Sequence, residues 1–323
     1  MEIIKMLSRR TVLAALAGLS SVAVPSASAQ SQTAKLLLVH GRGQANLDPQ
    51  ELKAAWIETL TRGAQAIGMH IPENLDVEFP YYGDELQRFV DQANLPLTGE
   101  IKAHGGSGQD DDFLAFQSDV AQSMREQTGI TDTQVLYEYG KNARPKGPLN
   151  WEWVQAILAA IDKHSGGMSQ SAIEQFTRDV YLYTRYPAVR STIDAVVRRA
   201  LTANKTVVVG HSLGSVVAYN VLHDAGQGIN VPLFVTVGSP LGIRAIRDQL
   251  APISYPSGVK DWFNAFDTRD VVALFPLDEQ SFPVNPPIRN FPGVRNHTDN
   301  RHGIAGYLDN REVARTILMA VGS

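Results

Sequence analysis

The sequence predicts an α/β fold built on a mainly parallel, doubly wound sheet. Three observations carry that prediction. Short, largely apolar runs recur at residues 36–39, 206–209 and 231–237, the second of them β-branched throughout and without polar alternation, as strands buried on both faces require. Segments with helical apolar spacing stand between them. The run at 206–209 also passes through Gly210-His211-Ser212-Leu213-Gly214 straight into a helical segment, where Val216, Val217, Val221 and Leu222 can share a buried stripe.

The first 29 residues read as a targeting segment. Lys5, Arg9 and Arg10 form a positive start, residues 12–24 a modest apolar stretch, and Ala27-Ser28-Ala29 a small-residue cleavage signal. The mature chain is therefore expected to be residues 30–323. Ser8-Arg9-Arg10-Thr11-Val12-Leu13 resembles a twin-arginine export signal, although Val12 and Ala14 depart from the usual residues, and a general secretory signal is the alternative. Either implies export from a bacterial cytoplasm to the periplasm or beyond. Removing Lys5, Arg9, Arg10 and Glu2 takes the formal charge from −4 to −6, which argues against nucleic acid or an anionic membrane surface as partner. The chain has no cysteine, so disulfides, a thiol nucleophile and cysteine metal sites are excluded. No segment of the mature chain is apolar for long enough to make a stable transmembrane span.

From the mature start, residues 36–39 are expected as the first strand and His40-Gly41-Arg42-Gly43 as the turn leaving it. Leu52, Ala55, Trp56 and Leu60 mark a helix, and residues 75–79 a second strand. Tyr81, Tyr82 and Asp84 follow as packing and turn residues, or as part of a pocket wall. Residues 95–184 exceed what a strand–helix–strand connection needs and read as an insertion. It opens with a flexible acidic loop holding Asp110-Asp111-Asp112, then shows helical patterns at 113–127, 150–164 and 169–183. Asn150 is placed to N-cap the second of these. The insertion is read as a helical cap over the active site, with helices packed on the outer face of the sheet as the alternative.

Residues 190–201 lead as a helix into the strand at 206–209. Beyond it, the run at 231–237 ends in Gly238-Ser239-Pro240, and residues 261–266 form a further strand candidate followed by Asp267 and Asp270. Residues 281–300 are rich in Pro and Asn and are expected to be mostly loop. His302 follows, and a closing helix spans about 310–321.

The chemistry concentrates at Ser212. A serine hydroxyl is a poor nucleophile until a base takes its proton, so it must project from the sheet within reach of one. The pattern G-x-S-x-G between a strand and a helix does this, and flanking glycines let the two pass closely. The backbone N–H of Leu213, at the helix start, then faces a developing oxyanion. With His40-Gly41-Arg42 at the end of an earlier strand, the chain resembles the α/β-hydrolase superfamily, in particular its lipase- and esterase-like members. The resemblance covers about 35–93 and 185–320, and the family's usual first two strands are not evident. It implies a sheet of α/β-hydrolase type, a second oxyanion donor at the backbone N–H of Arg42, and a triad in the order Ser212, Asp270, His302. Asp267 competes with Asp270 for the acid, His297 with His302 for the base, and Ser239 is a weaker nucleophile candidate. A metal site from His297, Asp299 and His302 is weakly indicated, so no metal and no cofactor are expected. The expected activity is hydrolysis of a small-molecule or lipid-like carboxylic ester. A non-catalytic binding protein and an acyltransferase are the alternatives. Oligomeric state is not readable.

Overall fold

Among the described residues the chain forms six strands, the central ones from its apolar runs: β1 (Lys35–Val39), β2 (Val77–Glu78), β3 (Thr206–His211), β4 (Phe234–Val237), β5 (Trp262–Ala265) and β6 (Arg289–Phe291). The structure, a computed structural model, describes residues 34–95, 97, 108–140 and 150–322. The export segment at 1–29 lies outside the described residues, as do residues 105–107 of the expected loop. Among the described residues every strand pairing is parallel, in the order β2-β1-β3-β4-β5-β6. Among the described residues eleven α-helices accompany the sheet: α1 (Pro49–Gln65), α2 (Gly83–Ala93), α3 (Gly108–Thr128), α4 (Asp132–Tyr139), α5 (Trp151–Ser165), α6 (Gln170–Arg185), α7 (Pro187–Ala200), α8 (Leu213–Ala225), α9 (Arg244–Asp248), α10 (Ala305–Leu308) and α11 (Arg311–Val321).

Side chains alternate across a strand, and here both faces are covered. Leu36, Leu38, Val207, Val209, Val235 and Phe263 enter one core with Trp56 and Leu60 of α1 and Val313, Ile317 and Leu318 of α11. Leu37, Val39, Val208, Phe234 and Trp262 enter a second core with residues of α2, α3 and α5 to α8. Each fully buried Val or Leu contributes about 1.5–3 kcal/mol, which is why these strands carry no polar alternation. Helix α8 lies against β3, β1 and α7. It is buried on all sides from Leu213 to Leu222, a wider burial than the one stripe its spacing suggests.

The insertion folds as α3 to α6, which pack on one another, while α6 also meets α2, α7 and α9. Asn150 caps α5, its Oδ1 accepting from the Trp153 N–H at 3.2 Å, and Ser169 caps α6 through the Ala172 N–H at 3.3 Å. One expectation is corrected, and two additions are made to stretches otherwise read as mostly loop or left unassigned. Residues 110–112 belong to the first turns of α3 and not to a loop. The stretch 281–300 contains β6, too short and too polar to carry an apolar signal. It is held to β5 by the backbone ladder and by Asn264 Nδ2 donating to Asn290 Oδ1 at 2.9 Å. Helices α2, α4 and α9 were not expected at all. They are short, and α2 shows only Leu86 and Val90 as fully buried apolar positions. No described helix is long and apolar enough to cross a membrane.

The order places the site. From β1 the chain moves to β2 on one side and, after α2 to α7, returns to β3 on the other. The strand order therefore reverses between β1 and β3, and ligands of open parallel sheets bind in the crevice beyond the carboxyl ends at such a point. His40-Gly41-Arg42 follows β1 there, and Ser212 follows β3.

Candidate active site

Ser212 joins β3 to α8 with φ 54° and ψ −130°, a backbone conformation that costs a non-glycine residue about 1–3 kcal/mol. Its surroundings hold it there. The Ser212 N–H donates to the Val237 carbonyl at 3.1 Å, and its carbonyl accepts from the Ser215 N–H at 2.9 Å and the Ser215 hydroxyl at 2.6 Å. Gly214 makes the turn possible, because a Cβ there would collide with the carbonyl oxygens of Val39 and His40. The strain aims Oγ away from the sheet, toward His302.

His302 Nε2 lies 2.8 Å from Ser212 Oγ, and His302 Nδ1 lies 2.6 Å from Asp270 Oδ2. The carboxylate can only accept, so Nδ1 carries the proton and Nε2 is free to accept from the serine. Asp270 is fully buried and has further donors: the Val272 N–H to Oδ1 at 3.0 Å and the Tyr307 hydroxyl to Oδ2 at 2.6 Å. Burial and the Asp270 charge push the Tyr307 phenol well above its ordinary range, so it remains a donor. His211 completes the support. Burial, with a smaller effect from His302, lowers it to about 3, and its neutral ring donates from Nε2 to the His302 carbonyl at 2.7 Å.

The rivals fall elsewhere. Asp267 accepts from the Arg269 N–H at 2.9 Å and the Asn296 N–H at 2.7 Å, and pairs with the Arg269 guanidinium at 2.6 Å. Burial opposes its ionisation, but those bonds outweigh it and hold the carboxyl below the usual range. His297 is exposed and pairs with Asp309 at 2.7 Å. The Ser239 hydroxyl is buried and spends its proton on Ser215 Oγ at 2.8 Å, since the Ser215 proton already goes to the Ser212 carbonyl. The described residues hold no group of three His, Asp or Glu side chains placed to bind a metal ion.

The Leu213 amide follows Ser212 in the chain, and Arg42 lines the same cavity as the serine. Leu213 is the first residue of α8, so its N–H has no intrahelical acceptor and lies at the positive end of the helix. Arg42 follows Gly41, which is so close to the serine that a Cβ would lie 3.0 Å from the Ser212 Cβ. His40 fixes that loop. Burial lowers it to about 4, so its ring is neutral at ordinary pH, donating from Nδ1 to the Gly41 carbonyl at 2.7 Å and accepting the Tyr82 N–H at 3.1 Å. The Tyr82 hydroxyl donates to the His40 carbonyl, and the two rings stack at 4.0 Å. The Arg42 side chain reaches α6 instead, donating from Nε to Asp179 at 2.6 Å and from Nη2 to Gln175 at 2.9 Å.

A cavity of about 340 Å³ opens onto Ser212 and His302, with Trp56, Met168, Phe176 and Ile304 among its walls and Arg42 at its side. Met168 and Phe176 come from the start of α6 and the turn before it, so the insertion forms one wall. The sequence brought forward Ser212, Asp270, His302, Arg42 and Leu213. It did not bring forward Tyr307, Gln175 or Asp179, whose partners lie 37, 133 and 137 positions away.

What the fold and site define is an all-parallel, doubly wound α/β domain with a hydrogen-bonded Ser–His–Asp chain at its topological switch point. Comparison of the chain with protein-family models, curated proteins and solved structures gave no match.

Proposed function

We propose that this chain is a serine hydrolase that cleaves carboxylic esters through an acyl-enzyme. The observation that carries the reading is the run of contacts from Ser212 Oγ through His302 to the buried Asp270. Ser212 Oγ attacks the ester carbonyl carbon while His302 Nε2 takes its proton. Asp270 stabilises the imidazolium so formed. The tetrahedral oxyanion accepts from the N–H groups of Arg42 and Leu213. On collapse the C–O bond to the alcohol breaks, and His302 returns the proton to the leaving oxygen. Water then attacks the acyl group, giving its proton to His302, and the acid leaves as Ser212 regains its hydrogen. The alternating helices, the parallel sheet and the turn at Ser212 support kinship with the α/β-hydrolase superfamily. The helix α6 wall supports the cap reading of the insertion. Export to the periplasm or beyond rests on residues 1–29 alone.

The test is covalent labelling with a fluorophosphonate together with ester turnover. Ser212 is expected to be the labelled residue, and Ser212→Ala to lose several orders of magnitude in kcat with the fold retained. His302→Ala is expected to fall similarly while His297→Ala keeps nearly full activity. A folded Ser212→Ala protein with wild-type turnover overturns the mechanism, and binding without labelling or turnover favours a non-catalytic role.

A further inference from the structure

The reading as an ester hydrolase leaves the substrate open among lipids, short esters, polyesters and glycan esters, and the cavity walls narrow it. An apolar cavity of about 150 Å³ accommodates one benzene ring. On that scale the 340 Å³ beside Ser212 holds roughly two such rings, or about fourteen non-hydrogen atoms. Phe176 and Met168 wall it, 1% and 7% exposed, and Trp56 stands opposite at 4%. These side chains are packed into the two cores, so elongation of the cavity requires displacing them. An ester with both its acyl and alcohol parts in the cavity is limited to about fourteen non-hydrogen atoms, so a long acyl chain must run out through the cavity mouth.

The described part of the outer surface is no better suited to a lipid aggregate. Among the described residues the large hydrophobic side chains left exposed are Leu47, Leu136, Tyr137 and Met319, which sit on three separate segments. An interfacial platform needs a contiguous apolar patch. Besides Ser212, His302 and His211, the polar side chains at the walls are Arg42, Gln44 and Asn300, and the Arg42 guanidinium is already engaged by Asp179 and Gln175. A sugar ring, with hydroxyls on both faces, would leave several of them unpaired against Trp56, Met168 and Phe176.

We infer that the site acts on small esters with short apolar acyl groups, and that Phe176 and Met168 set the length limit. This inference rests on the proposed hydrolase chemistry, and its test separates the two. The kcat/KM of the full protein is measured on p-nitrophenyl acetate, butyrate, octanoate and palmitate, alongside fluorophosphonate labelling of Ser212. The optimum is expected at acetate or butyrate, with a fall of at least about tenfold by octanoate, the equivalent of about 1.4 kcal/mol. Phe176→Ala and, separately, Met168→Ala are each expected to raise the octanoate-to-acetate ratio about tenfold, so one misfolded variant leaves the other to decide. If Ser212 is labelled but kcat/KM climbs through octanoate to palmitate, the size limit is wrong and the hydrolase reading stands. Labelling with no ester turnover overturns the substrate class alone. Neither labelling nor turnover overturns both.

Discussion

Asp267 and Asp270 stand three residues apart and are both fully buried, yet their partners differ in kind. Asp267 is committed to a turn, accepting from Arg269 and Asn296, whereas Asp270 accepts from His302 Nδ1 and from Tyr307. Asp270→Asn is therefore expected to put His302 in the wrong tautomer, with a loss of up to about ten-thousandfold in kcat and little change in stability. Asp267→Asn is expected to show the reverse: near-normal turnover per folded molecule and a loss of about 1–3 kcal/mol in urea unfolding, because buried donors lose a charged acceptor. Purified variants assayed on one ester decide it, and a kinetic loss falling on Asp267→Asn would reverse the assignment. Local chemistry made this pair legible from sequence, since Thr268-Arg269 after Asp267 suits a turn and Val271-Val272 after Asp270 buries what precedes it. Tyr307 was illegible for a matching reason. Nothing local to a Gly-Tyr-Leu segment says that its hydroxyl meets a carboxylate 37 positions earlier.

At the scale of elements, α6 is joined to the loop after β1 by a single side chain. Asp179 is buried on α6 and bound by both Arg42 at 2.6 Å and Arg178 at 3.2 Å. Arg42 supplies the proposed oxyanion donor from its backbone, so the ion pair on its side chain limits where that N–H can point. Arg42→Ala keeps the backbone amide and removes the anchor, and Asp179→Ala keeps it while removing the charged half of the anchor and leaving only the bond to Gln175. Both are expected to lower kcat at least about tenfold while KM changes little, since an oxyanion donor acts chiefly in the transition state. An equal rise in KM with kcat preserved would instead make Arg42 a substrate contact. Helix α6 itself was visible in the sequence through its helical pattern at 169–183, while its Ser169 cap appeared only in the structure. Its connection to Arg42 was not, because an arginine and an aspartate 137 residues apart carry no spacing signal. Strand β6 escaped for want of apolar residues, its place being set by pairing to β5.

The whole molecule converges on the switch point between β1 and β3, and its acid stability is tied to the same place. The fold class was legible because strands buried on both faces must be continuously apolar. The reversal of strand order was not, since it depends on which edge each connection chooses. His40 sits at that reversal, 1% exposed, linking β1 to the residues before α2 through Gly41 and Tyr82. Burial, partly opposed by its bond to the Gly41 carbonyl, lowers its pKa to about 4. In the unfolded chain the same group titrates near 6.5. The unfolded state therefore takes up a proton that the folded state refuses, so stability is intact above about pH 6.5 and falls as pH drops toward about 4. At about pH 5 the loss from this one group is about 2 kcal/mol. His211 acts in the same direction. Its ring borders the cavity, where water can relieve part of the effect. The measurement is urea unfolding of the wild type and of His40→Gln, an uncharged side chain that can still bond, at about pH 7.5 and about pH 5. The variant is expected to be less stable at the higher pH but to lose about 2 kcal/mol less on acidification. Equal losses in the two proteins would mean that His40 does not couple folding to pH, and that the acid sensitivity lies with other groups.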